Sequence, residues 1–276
     1  MKNNSDIKSM KLYNYVNRIY NELEEIGKNN SDPLQVDELT NFDQLHYHGT
    51  DALDYAIDKI GINSDMKILE IGSGIGGPAR YIANKTGAII TALELQTDQN
   101  KIALDLTERC GLSEKIQNVC GDFLNYNFDG KKFDAIVSWL TLYHISDHTS
   151  LLQKCFECLN SKGFFYAEDL FSRKPFSEEE LNQISKEMYG NYLPDLETYK
   201  SQIENAGLNL IDHKDMSDNW AKFTQDRFLS YSRNKNRHLR VHGKNIYESM
   251  NAFYSFMNNI FSQGKLGGIR IFAKKP

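Results

Sequence analysis

From residue 66 onward, short dense runs of apolar residues alternate with longer stretches in which apolar positions recur every third or fourth residue. The dense runs read as strands buried on both faces, and the helical recurrence reads as helices laid against them. This pattern predicts strands at 67–71, 88–95, 116–120, 133–139 and 164–167, with helices at 78–85, 97–110 and 147–159 between them. Alternation of that kind specifies an α/β fold with a mainly parallel sheet. Past residue 168 the rhythm loosens into helices at 178–188 and 195–206, a sixth strand at 209–212 and a closing strand, GIRIFAK, at 268–274. Two long helical patterns, 219–234 and 244–261, stand before that last strand and are too long for a sheet crossover. They read as an inserted cap over about 215–263, whose apolar positions, Phe223, Phe253 and Met257 among them, pack helix on sheet. Ahead of the sheet, Met10, Tyr13, Val16, Ile19, Tyr20 and Leu23 fall at helical spacing and predict an amphipathic arm ending near Gly27. A polar-aromatic cluster, Phe42 to Thr50, and a helix at 51–60 complete a helical arm or lid over residues 1–60, leaving 61–276 for the main domain.

Composition narrows the partners. A net charge of −5 over 276 residues gives no general field for nucleic acid or an anionic membrane, so a small molecule is the expected partner. No apolar run approaches the roughly 20 residues of a membrane span, and the polar start lacks a signal-peptide core, which reads as cytoplasmic. Cys155 and Cys158 sit on one amphipathic helical pattern with no second pair, so they read as buried thiols. The close histidine pairs, His144 with His148 and His238 with His242, show no third ligand in sequence, and no metal is expected. Nothing in the sequence sets the oligomeric state.

The chemistry concentrates where the first strand meets its helix. Gly72, Ser73, Gly74, Ile75, Gly76 and Gly77 form a glycine turn at a helix start, a backbone that can approach a nucleotide closely. Gly72, Gly74 and Gly77 alone fit the dinucleotide spacing, so an NAD reading starts level. Its neighbours decide against it. Glu70, two residues before the first glycine, would repel a pyrophosphate yet can bond the amino-acid end of a zwitterion. Glu94 closes the second strand and can accept both ribose hydroxyls, while Asp122 can accept from an adenine amino group with Phe123 over the ring. A ligand with an amino acid, a ribose and an adenine but no phosphate is S-adenosylmethionine.

Residues 66–170 resemble a class I S-adenosylmethionine-dependent methyltransferase, with Glu70-Ile-Gly-Ser-Gly-Ile-Gly76 as the cofactor loop. The resemblance implies a Rossmann-like sheet of seven strands, mainly parallel with an antiparallel last strand. It implies cofactor contacts at Glu70, Gly72, Ser73, Gly74, Gly76, Glu94, Leu95, Gln96, Asp122, Phe123 and Ser138. More narrowly, Gly76-Gly-Pro-Ala-Arg-Tyr-Ile, Ser138-Trp-Leu-Thr-Leu-Tyr-His144 and Gly264-Lys-Leu-Gly-Gly resemble the phosphoethanolamine and sarcosine/dimethylglycine N-methyltransferases. Three departures bear on the acceptor. Leu140 stands where such enzymes carry an aspartate, Tyr189-Gly-Asn-Tyr192 replaces an arginine-rich phosphate grip, and no tyrosine between Gly27 and Gln44 is present to partner the histidine.

The expected reaction is methyl transfer to a small molecule, first an amine nitrogen and alternatively an oxygen or sulfur; a NAD(P)-dependent oxidoreductase and a silent binding module rank below. His144, on the ligand rim, is the candidate base, and Tyr47 the candidate catalytic partner. His46, Trp139, Tyr143, Glu168 and Tyr192 are candidate acceptor contacts. The basic run from Arg233 to Lys244 reads as a solvated linker that, folded over the rim, could present Arg240 to an acidic group.

Overall fold

Seven strands among the described residues pair into one sheet: β1 (Lys67–Ile71), β2 (Ile89–Glu94), β3 (Ile116–Cys120), β4 (Phe133–Trp139), β5 (Leu159–Ser172), β6 (Asn209–Asp215) and β7 (Leu266–Lys274). The computed structural model describes residues 12–276, so Met10 of the expected arm helix lies outside the described residues. Strand order is β3-β2-β1-β4-β5-β7-β6; β1 to β5 pair in parallel and β7 runs antiparallel to both its neighbours. The helices are α1 (Arg18–Glu25), α2 (Val36–Leu39), α3 (Gly49–Ile60), α4 (Gly77–Thr86), α5 (Thr97–Arg109), α6 (His148–Cys158), α7 (Glu178–Met188), α8 (Leu196–Asn205), α9 (Ser217–Arg233), α10 (Lys235–His242) and α11 (Lys244–Ser262).

Side chains alternate across the strands, so each face builds its own core. Ile68, Ile90 and Val137 pack with Ala79 and Ile82 of α4, while Leu69, Ile136 and Phe165 pack with Leu151 and Tyr199 of α6 and α8. Cys155 and Cys158 are buried free thiols. The parallel strands all end on one rim, the place where open α/β sheets bind ligands.

Three expectations change. The fifth strand, expected at 164–167 after a turn, spans Leu159–Ser172 with a register shift against β4 in place of a clean turn. It continues because β7 pairs with it from Phe164 to Ser172. The basic run is not a linker but a helix, α10, with Arg237 and Arg240 facing carboxylates of α1. Among the described residues the amphipathic segment expected to end near Gly27 is α-helical over Arg18–Glu25, and residues 12–17 form turns.

Helix α9 seats on β7 through Trp220, which is fully buried. A Cβ on Gly268 would lie 2.0 Å from the indole, so the closing glycines are what let this helix lie against the strand.

Candidate active site

The glycine turn is held from both sides. Gly72 and Ser73 donate backbone N–H bonds to Leu93 O, and Gly74 N–H donates to Glu94 Oε2 at 2.8 Å. Gly72, Gly74 and Gly76 all adopt left-handed backbone angles (φ 74°, 55° and 78°), which only glycine takes without strain. Close approach adds a second constraint, since a Cβ on Gly72 would lie 2.2 Å from Thr141. Arg80, fully buried on α4, donates to Ile75 O of the turn at 2.8 Å and to Asp43 Oδ2 at 3.0 Å. That buried ion pair ties the segment before α3 to the turn.

A cleft of about 1530 Å³, open mouth included, lies over this turn and the ends of β1, β2 and β4. Glu70, Glu94 and Asp122 line its nucleotide half. Burial, reinforced by Glu94 and opposed by Arg80, pushes Glu70 up to about 8, and its Oε2 has no partner. Burial also raises Glu94 to about 7, against the hydrogen bonds it accepts from Gln96 and Gly74 N–H. Asp122 caps its own turn, accepting from Leu124 N–H and Asn125 Nδ2.

The opposite half is aromatic. His46, Tyr47, Trp139, Tyr143 and His144 are buried there, joined by Tyr13 from the arm. His144 lies on a single 3₁₀ turn, Leu142–His144, and its Nδ1–H donates to Tyr189 O at 2.9 Å. A carbonyl only accepts, so in the neutral ring Nε2 keeps its lone pair, and Nε2 is buried without a partner. Burial drives the imidazole down to about 4, so it is neutral near pH 7. Tyr13 meets it edge-on, ring centroids 6.3 Å apart. A tyrosine from ahead of the Gly27–Gln44 segment thus stands beside the imidazole.

A profile of the family described as mycolic acid cyclopropane synthetase matches residues 40–271. The chain belongs to this family. Its members include class I S-adenosylmethionine-dependent methyltransferases, the class that the glycine turn and its acids resemble. A sterol 24-C-methyltransferase of Neurospora crassa is 29% identical over 170 residues, 59% of this chain and 45% of the relative. Phosphoethanolamine N-methyltransferase 1 of Zea mays is 25% identical over 73% of this chain and 40% of its own length. The chain thus spans less than half of either relative. The structure of Haemonchus contortus phosphoethanolamine N-methyltransferase 2, in complex with phosphomonomethylethanolamine and S-adenosylhomocysteine, superposes with a TM-score of 0.82. It covers 100% of this chain and 61% of that one at 19% identity, which shows a shared fold.

The methyltransferase cofactor fits the residues present. Glu70 Oε2, Ser73 Oγ, Gln96 Oε1 and Gln99 Oε1 are buried without partners around the glycine turn, a set of acceptors and one hydroxyl suited to an ammonium and a ribose. Of the sequence-derived candidates, Gly72, Ser73, Gly74, Leu95, Gln96 and Phe123 also line the cleft. Gly76 lies behind it as the N-cap of α4, and Ser138 donates to Ile71 O beneath the turn.

Three acceptor candidates lie elsewhere. Glu168 pairs across β5 and β7 with Arg270 at 2.7 Å and accepts from Tyr166 OH, because the prolonged strand turns it toward that face. Tyr192 packs on His148, ring centroids 4.4 Å apart, in the segment whose backbone pins the 3₁₀ turn through Tyr143 O. Arg240 pairs with Glu25 on the surface. The histidines of α10 do gain a neighbour, since Glu22 stands within 4.8 Å of His238 and His242, but its oxygens already hold Arg237 and His242. Sequence reasoning missed Tyr13, Thr224, Arg227 and Tyr254, which reach the cleft from the arm and the cap. Tyr13 and the cap aromatics carried only a helical-spacing signal, and Arg227 carried none.

Proposed function

We propose that the protein transfers the methyl group of S-adenosylmethionine to a small-molecule amine nitrogen. When bound, S-adenosylmethionine supplies an electrophilic methyl on a sulfonium, displaced in line by an acceptor lone pair with S-adenosylhomocysteine as leaving group. Glu70 and the glycine turn would hold the amino-acid end, Glu94 and Gln96 the ribose, and Phe123 would cover the adenine. Tyr47, Trp139 and Tyr143 wall the acceptor end and exclude water; aromatic faces attract ammonium groups as they gain methyls. The observation that carries the nitrogen reading is the neutral His144 with a partnerless Nε2. Such a nitrogen can accept the N–H of an amine and orient its lone pair toward the methyl group, with the product ammonium losing its proton to solvent on release.

A second reading has its own support. Leu140, Leu170, Phe253 and Met257 also line the cleft, and no unpaired carboxylate faces its acceptor half among the described residues, which suits an apolar acceptor methylated on carbon, oxygen or sulfur. Incubation with methyl-labelled S-adenosylmethionine and a panel of amines, phenols, thiols, sterols and unsaturated lipids separates the two. Label in amines is the expected result; label confined to sterols or unsaturated lipids rejects the nitrogen reading, and none in any acceptor rejects methyl transfer.

A further inference from the structure

The charges lining the cleft are segregated. Its carboxylates, Asp43, Glu70, Glu94 and Asp122, belong to the nucleotide half, and Asp43 is already paired with Arg80. The acceptor half contains a single guanidinium, Arg227 of α9, the one Lys or Arg side chain lining the cleft among the described residues. Arg227 is half-buried among rings, its Cζ 4.5 Å from the Phe223 centroid, 5.6 Å from Tyr47 and 5.8 Å from Tyr254. Its one hydrogen bond among the described residues runs from Nη2 to His46 O at 3.0 Å, and no carboxylate pairs with it there. Five N–H donors in a fixed fork therefore have one protein acceptor between them. The aromatic faces fix the plane of the fork without consuming its edge donors. A second cavity shares Arg227 with the cleft and adds Arg18, whose Nη1 is used on the carbonyls of Leu12 and Tyr15. The acid lining that chamber, Glu22, is taken by Arg237 and His242.

We infer that the acceptor is an anion, and that Arg227 holds its carboxylate or phosphate by the guanidinium fork while the methylated atom lies toward His144. This rests on the methyl-transfer reading above and narrows its substrate class. Sequence pattern places no phosphate grip at Tyr189–Tyr192, and the structure supplies a cation from a different element, the inserted helix α9. A carboxylate, or two oxygens of a tetrahedral phosphate, matches the fork bidentately, which an amino alcohol such as ethanolamine cannot do.

The test uses the full chain saturated with S-adenosylhomocysteine, titrated calorimetrically with inorganic phosphate and, separately, with acetate. At least one of the two binds the wild type saturably at one site. Affinity falls at least tenfold in Arg227→Met and is partly kept in Arg227→Lys, with melting temperatures of both variants confirming that they fold. Which anion binds more tightly tells phosphate from carboxylate. In turnover, phosphoethanolamine or glycine is used at least 100-fold more efficiently than ethanolamine, and Arg227→Met erases that preference through KM. Absence of binding by both anions, equal affinity in wild type and Arg227→Met, or preferred turnover of ethanolamine overturns the inference. Failure to bind S-adenosylhomocysteine strikes instead at the methyl-transfer reading, and is read as a separate signal in the first titration.

Discussion

Glu70 shows how much one carboxylate can report. Buried beside Glu94 and held up to about 8, it is mostly protonated at pH 7 in the ligand-free cleft. The ammonium of S-adenosylhomocysteine would favour its ionised form, so binding should expel protons into the buffer. Calorimetry at pH 7 in PIPES and in Tris, which differ in ionisation enthalpy, should give different apparent enthalpies corresponding to net proton release. The difference should shrink in Glu70→Gln; an unchanged buffer dependence in that variant would move the ammonium elsewhere. His144 makes a complementary prediction. His144→Ala should lower kcat roughly 100-fold, the scale of a misoriented acceptor, with S-adenosylhomocysteine affinity within about twofold. An unchanged kcat would remove it from the chemistry. The place of these two residues on the cleft was legible in sequence because each lies within a few positions of a strand end, and strand ends converge on one rim. Tyr13 and Arg227 were not, since each arrives from an element whose path over the sheet no local pattern specifies.

Among the elements, the least regular does the positioning. Helix α1 carries Glu22, which accepts from Arg237 and His242 of α10; burial alone would raise this carboxyl, but those bonds together hold it down to about 2. Glu25 pairs with Arg240 alongside. The clamp keeps the preceding turns, and with them Tyr13, against His144. Glu22→Gln removes charge-assisted bonds worth about 1.5–3 kcal/mol each to the docked arm. Hydrogen exchange over residues 12–26 should speed at least tenfold while the strands stay protected, and kcat should fall with it. Exchange unchanged in the arm would mean that apolar packing of Ile19 and Leu23 alone docks it. The basic run looked like a linker because its partners, Glu22 and Glu25, lie more than 200 residues away in sequence. By contrast, β1, β3 and β4 match their expected bounds: Gly72 and Gly121 directly follow β1 and β3, and β4 ends where the backbone turns left-handed at Leu140. The fifth strand runs past its expected end with Glu168, expected as an acceptor contact, and its neighbour Asp169 satisfied inside by Arg270, Tyr166 and Tyr199.

Across the whole molecule, two sets of buried groups oppose one another as pH changes. Burial lowers His46, His144 and His148 to about 4, so the unfolded chain takes up their protons first and stability is lost as pH falls from about 6.5 toward 4. Burial raises Glu70 to about 8 and Glu94 and Asp169 to about 7, so the folded chain keeps protons that the unfolded chain has released. Their contribution is full at low pH and is lost as pH rises from about 4 through 7 and 8. The sets roughly cancel between about pH 4.5 and 6.5, and above that only the acids act. The melting temperature of the ligand-free protein should therefore stay level to about 6.5 and decline toward 8, and S-adenosylhomocysteine should flatten the decline. A melting temperature that stays level over 6.5 to 8 would show that these carboxyls are already ionised in the folded chain.

The seat of Trp220 on Gly268 has a consequence beyond packing. Helices α9 to α11 leave the sheet after β6 and return at β7, and Met216 N–H bonds Gly268 O at 2.7 Å where they depart. Residues 217–262 are thus a cassette hung between neighbouring strands by a glycine hinge-plate, and they bring Thr224, Arg227, Phe253, Tyr254 and Met257 to the cleft. The donor half is assembled from other parts of the chain. On the methyl-transfer reading proposed above, replacing residues 217–262 would change the part of the acceptor wall that they supply while leaving the donor half intact.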